Sequence, residues 1–180
     1  MGYYFVTSCI MRIILCFIGL ILCFSVVAND CEKTHLSHPQ SDTTYFKKYC
    51  KRLNIIEEGW LIHGKKEGFW KNYYTNGQLK SQGHFDNGKL SGFWVFFYKN
   101  GQIKSEGNFF EGEKDGYWKH FDLQGRLSRA GEYNQNSKVG FWKNYSNGII
   151  RDEGWYEENK PVGFWNFYDE KGNFAYAIKQ

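Results

Sequence analysis

Cys31, His35, His38 and Cys50 bring two thiols and two imidazoles into one short stretch, and these are the sulfur and nitrogen donors that zinc takes. Their spacing matches no finger and no Cys-x-x-Cys occurs, so a metal centre is the weaker reading. In an exported chain an even pair of cysteines reads as one disulfide, Cys31–Cys50. The remaining imidazoles, His63, His84 and His120, stand singly in different parts of the chain. No nucleophile elbow, phosphate loop or paired-His metal helix is present, so the sequence assigns no catalytic residue, no metal and no cofactor.

Two further series carry binding chemistry. Lys65, Lys89, Lys114, Lys138 and Lys160 recur at matched places and could form a row that meets an anionic membrane or an envelope polymer. Glu67, Asp86, Glu111, Glu113, Asp115, Glu157 and Glu158 crowd the same edge and would cancel much of its field, which makes solvated turn charge the better reading. Trp70, Trp94, Trp118, Trp142 and Trp165 could line a groove for an extended peptide or glycan. A single-layer sheet has no separate core, however, so the same rings are needed to pack repeat on repeat, and packing is preferred. The net charge of +4 comes from both signs spread along the chain, without the clustered basic face that nucleic acid requires.

The export premise rests on residues 1–28. Met11-Arg12 gives a short positive region, Ile13 to Phe24 an apolar run, and Val26-Val27-Ala28 a small-residue cleavage site, with translation starting at Met1 or Met11. An uncleaved anchor is the alternative, but the run is shorter than the ~20 apolar residues of a spanning helix. Neither Cys23 after Leu22 nor Cys31 after Asp30 suits a lipoprotein. Cleavage removes Cys9, Cys16 and Cys23, leaving Cys31 and Cys50, and places the mature protein in the periplasm or outside the cell. Residues 29–53 are polar, lack any repeat and read as an N-terminal cap over the exposed first edge of residues 54–180.

The elements that position these residues are repeats. Successive Trp residues of the series lie 24, 24, 24 and 23 apart, each inside a Gly-aromatic-Trp triplet, so one supersecondary unit is copied in line. A half unit opens at Asn54, and five full units start at Gly68, Gly92, Gly116, Gly140 and Gly163. Each holds two short aromatic or apolar runs between turn signals, which makes it a β-hairpin. In the first turn Gly77, Gly101, Gly125, Gly148 and Gly172 recur, and Gln124 and Lys171 before two of them predict a type I turn with a Gly bulge rather than a type I′ turn. In the second turn Gly64, Gly88, Gly112, Asn136 and Asn159 predict a left-handed backbone. Gly83, Gly107, Gly131 and Gly154 fall mid-strand, so a neighbouring ring should lie across each. With regular pairing, Phe69 and Tyr73 would face one side and Trp70 and Tyr74 the other. The expected fold is all-β: an elongated single-layer antiparallel β-meander of about eleven strands, roughly 50 Å long.

The pattern Gly-Phe-Trp-x-x-Tyr-x-x-Asn-Gly-x-Leu-x-x-x-Gly-x-Phe-x-x-Gly-Lys-x-x-Gly resembles the MORN repeat, in its bacterial MORN-variant form, from Asn54 to Gln180. It departs from the pattern at Asn136 and Asn159, and its fourth unit is one residue short. The resemblance implies an elongated sheet of hairpins used for interaction, with no catalytic motif to carry over. Bacterial relatives of this kind are labelled antitoxin components of the YwqK type, and eukaryotic ones are linked to membranes. The expectation is an exported, non-enzymatic protein-interaction module. An antitoxin or immunity protein is the first alternative, and a scaffold at the envelope or membrane surface the second. The last strand, with Phe174, Tyr176 and Ile178, is a poorly blunted edge that predicts pairing with a second copy or a partner strand.

Overall fold

The computed structural model describes residues 32–37, 42–50 and 54–180. It is one open sheet of thirteen antiparallel strands, each hydrogen-bonded to its neighbours in sequence. The strands are β1 Glu32–Ser37, β2 Thr43–Tyr49, β3 Ile55–Ile62, β4 Lys65–Tyr73, β5 Leu79–Asp86, β6 Lys89–Phe97, β7 Ile103–Phe110, β8 Glu113–Phe121, β9 Leu127–Asn134, β10 Ser137–Ser146, β11 Ile149–Glu157, β12 Lys160–Tyr168 and β13 Phe174–Lys179. The array from β3 onward accounts for the eleven strands expected. The other two come from the segment read as a cap: Thr-Thr-Tyr-Phe in β2 is strand-forming material, and it pairs along the free edge of β3. The apolar run of residues 13–28, Cys31 and His38 lie outside the described residues.

Both turn types follow from their residues. The second turns are two-residue loops with positive φ at both positions, as at Asn87 (50°) and Gly88 (85°), or Glu158 (46°) and Asn159 (69°). That is the backbone of a type I′ hairpin, whose twist matches its strands. The first turns close as expected in four units: Gly77 donates its N–H to the Tyr74 carbonyl at 2.9 Å, and Tyr74 donates to Gln78 at 2.8 Å. Where Asn is missing before the Gly, Asp122 and Asp169 open the turn instead. Their carboxylates accept the N–H groups of Gln124 and Arg126, and of Lys171 and Asn173. The fourth unit differs. Its missing residue shortens the loop to Asn147-Gly148, both at positive φ, with Ser146 paired to Ile149.

Regular pairing fails at the Gly-aromatic-Trp triplet, and again after the Trp. There the next strand carries one extra residue, as Lys80 between the pairs Asn72–Ser81 and Tyr73–Leu79 and Lys104 between Phe96–Ser105 and Phe97–Ile103. At the triplet, Gln82 pairs with Val95 and His84 with Ser91, so Gly83 alone faces Gly92, Phe93 and Trp94. The same three-against-one bulge recurs opposite Gly59, Gly107, Gly131 and Gly154. Gly92 turns through φ 63° to make it, a conformation costly for any residue with a Cβ. The extra length lets the indole fold back over the opposing glycine. A Cβ on Gly59, Gly83, Gly107, Gly131 or Gly154 would come within 2.2–2.4 Å of that ring. The ring across each glycine is therefore the Trp of the following unit.

The bulge also frees a carbonyl, and the indole satisfies it. Trp94 Nε1–H donates to the His84 carbonyl at 2.9 Å and Trp118 Nε1–H to the Asn108 carbonyl at 2.9 Å, with Trp70, Trp142 and Trp165 bonded likewise. Phe85, Phe109, Tyr133 and Tyr156 stand edge-on between successive indoles, at centroid distances of 5.0–6.3 Å. This file of rings along one face is the core of the protein.

Candidate interaction surface

The five Trp side chains do not line a groove. Trp70, Trp94, Trp118, Trp142 and Trp165 are buried, at most 5% exposed, and each is sealed by a glycine on one side and aromatic edges on the others. The exposed rings belong to the residue before each Trp. Phe69, Phe93, Tyr117, Phe141 and Phe164 are 37–66% exposed, one per unit, on the face opposite the indoles. Alternate strands carry them, so the row repeats at about 10 Å, twice the strand spacing. Across the ladder they meet His84, Asn108, Glu132, Trp155 and Lys179, and only Phe69–His84 and Phe141–Trp155 make ring contacts, at 5.2 and 5.7 Å. Sequence reasoning weighed the Trp of each triplet as binding or packing and preferred packing, which their burial matches, but it passed over the ring beside each Trp. The available signal was the recurring aromatic beside it, which alternation puts on the other face.

The predicted lysine row splits in two. Lys65, Lys89 and Lys160 open their strands at the turn edge and are exposed, with Lys65 donating to Asn87 Oδ1 at 2.8 Å and Lys89 paired to Glu111. Lys114 and Lys138 stand one place further on, together with Lys66, four residues before their Trp. Their ammonium groups lie over rings of the indole face: Lys114 over Trp118 (4.4 Å) and Tyr133 (4.8 Å), Lys138 over Trp142 and Tyr156 (4.7 Å each), Lys66 over Trp70 (4.3 Å) and Phe85 (5.0 Å). Burial lowers the pKa of all three; nearby cations lower it further, Lys48 for Lys66 and Arg129 for the other two. Among the described residues these lysines therefore do not form the single straight row expected.

The imidazoles are separate. His63 pairs with Asp42 at 3.4 Å, His84 packs its ring on Phe69, and His120 stacks on Trp118 at 6.1 Å. His120 is held down to about 3, first by burial and then by Arg129, Lys114, Lys138 and Lys104. Among the described residues no group of three or more His, Cys, Asp or Glu side chains could hold a metal. Cys50 is half-buried and carries no disulfide among the described residues. In the last strand Phe174, Tyr176 and Ile178 are all exposed, and β13 is bonded to β12 alone.

No protein-family model matches the chain, and no curated protein matches it. Among solved structures the chain is similar to one titled "Crystal Structure of TarM", at 7% identity and a TM-score of 0.29, over 71% of this chain and 21% of that one. The chain thus spans about a fifth of that protein's length.

Proposed function

We propose that this chain is an exported, non-enzymatic protein-interaction module built from MORN-like repeats, and that it binds its protein partner through the row Phe69, Phe93, Tyr117, Phe141 and Phe164. The observation that carries the reading is the division of labour within each triplet. The Trp is consumed by packing, while a second aromatic ring beside it stays exposed in every unit. Apolar rings repeated on one face are what a partner's apolar side chains can cover, and aromatic anchors dominate such contacts. Export and a Cys31–Cys50 disulfide belong to the same reading. The pairing of Glu32 with Tyr49, the sequence neighbours of the two cysteines, supports the bridge.

The test is capture of partners by the mature chain and by the triple variant Phe93→Ser, Tyr117→Ser, Phe141→Ser. The variant should unfold in urea near the parent, since its rings are already 37–54% exposed, and should lose the captured protein. Retention of the same partner by a folded variant would remove the row from the binding surface. Recovery of the native protein in the cytoplasm would remove export and restore an intracellular antitoxin as the better account.

A further inference from the structure

On the indole face, opposite the proposed docking row, charge compensation fails at one place. Two residues before each covered glycine stand Glu57, Ser81, Ser105, Arg129 and Asp152, a column that flanks the half-buried lysines. Lys66 has Glu57 beside it as an ion pair, and Lys138, whose pKa is lowered by burial and by Arg129, has Asp152 to offset part of that. Lys114 instead shares one concavity with Ser105 and Arg129, a hydroxyl and a second cation. Lys104 joins them, because the bulge at β7 leaves it unpaired with β6 and its ammonium lies 5.8 Å from the Tyr98 ring centroid. None of Lys104, Lys114 and Arg129 makes an ion pair among the described residues.

These three cations line one shallow concavity of about 310 Å³, walled by Phe96, Trp118 and His120. His120 Nε2 is buried without a hydrogen-bond partner, alone in this among the side-chain atoms described. Three converging positive charges with a partly dehydrated lysine among them repel one another, and a bound anion would relieve that repulsion. A single carboxylate leaves most of the charge in place. A phosphate group, close to doubly negative at neutral pH and rich in acceptor oxygens, matches it better.

We propose that this concavity is a binding site for a dianionic phosphate group, seated by Lys104, Lys114 and Arg129 against the Phe96, Trp118 and His120 rings.

The test uses the full chain and follows the His120 ring resonances at neutral pH while inorganic phosphate replaces sodium chloride at constant ionic strength. A saturable shift is expected, with a midpoint on the order of 1 mM for a small exposed anion. His120 should then titrate at higher pH, because the anion offsets the four cations around it. Arg129→Ser, which places in this column the residue found at Ser81 and Ser105, should weaken binding at least tenfold while leaving the urea midpoint close to the parent's. Methyl phosphate binding as well as inorganic phosphate would mark the ligand as a phosphomonoester, and loss of methyl phosphate alone would mark it as free phosphate. A shift that never saturates, or parent-like affinity in Arg129→Ser, would overturn the site. Equal binding of dimethyl phosphate would overturn the requirement for a dianion.

Discussion

Adding one methyl group at Gly107 tests the packing argument directly. Its Cβ would sit 2.3 Å from Trp118 Cδ2, where ordinary carbon contacts are ~3.5–4.0 Å, so the indole must retreat by more than 1 Å. Retreat strains the Nε1–H bond to the Asn108 carbonyl and opens the contacts with Phe109 and Tyr133. Gly107→Ala should therefore cost about 3 kcal/mol, the upper end for overpacking. Trp118→Ala should cost ~3–5 kcal/mol by leaving a cavity. In the double variant the clash is gone and Ala stiffens the unfolded chain, so the second substitution should cost nothing or gain about 0.5 kcal/mol. The coupling is then about 3 kcal/mol, read from urea unfolding of the full-length chain by circular dichroism. Gly101→Ala serves as control. Its φ of 86° and open surroundings imply a cost of about 1 kcal/mol whichever residue stands at 118. Additivity of Gly107→Ala and Trp118→Ala within about 0.5 kcal/mol would refute the seating of the ring on the glycine. Parent-like unfolding of Trp118→Ala would refute the structural role of the indole altogether.

Three further outcomes are expected. His120 sits at about 3 in the folded protein, depressed first by burial, but near 6.5 when unfolded, so the unfolded state takes up the proton first and stability is lost as pH falls through that window. After allowance for solvent screening the loss between about pH 7 and about pH 5 should be about 1 kcal/mol, and His120→Phe, which copies Phe96 of the preceding unit, should abolish it; an unchanged pH profile in that variant would exclude His120 as the cause. Thiol titration of the unfolded, unreduced mature protein should find no free thiol, and two reactive thiols would refute the Cys31–Cys50 bridge. Sedimentation at tens of micromolar should show the parent dimerising and a chain cut before Phe174 failing to do so, whereas a monomeric parent would leave only a foreign strand as partner for β13.

The repeat period and the glycines made most of this fold legible. Asn136 and Asn159 replacing Gly reported positive φ, and Gln124 and Lys171 pointed to the bulged first turn because neither side chain tolerates the left-handed region well. Mid-strand Gly83 and Gly107 implied a covering ring. What the sequence did not disclose was the geometry of Gly-Phe-Trp. A glycine there looks like any strand glycine, and the two residues of surplus length appear only once Val95 and Ser91 are paired with Gln82 and His84. The lysines mislead for a related reason. Lys65 and Lys114 both follow a turn, yet one step of a strand separates them, and that step takes a side chain from the water at the edge to the face of an indole. The exposed row escaped because Trp is the larger and rarer ring, while burial consumed it.

Each covered mid-strand glycine is a socket and each triplet indole a plug, and the two always belong to different units. Gly59 in the opening half unit receives Trp70, and Gly154 receives Trp165. Trp165 in turn pairs across the sheet with Ile178, which holds the position of a socket but has a branched side chain in it. The stacking direction is thus written into the chain: a unit can be added or removed only in whole steps that keep every plug opposite a socket. Excising residues 92–115 would leave Trp118 facing Gly83 and close the array again. Grafting another unit behind Ile178 would present its indole with a filled site, so an engineered extension needs Ile178→Gly before it needs anything else.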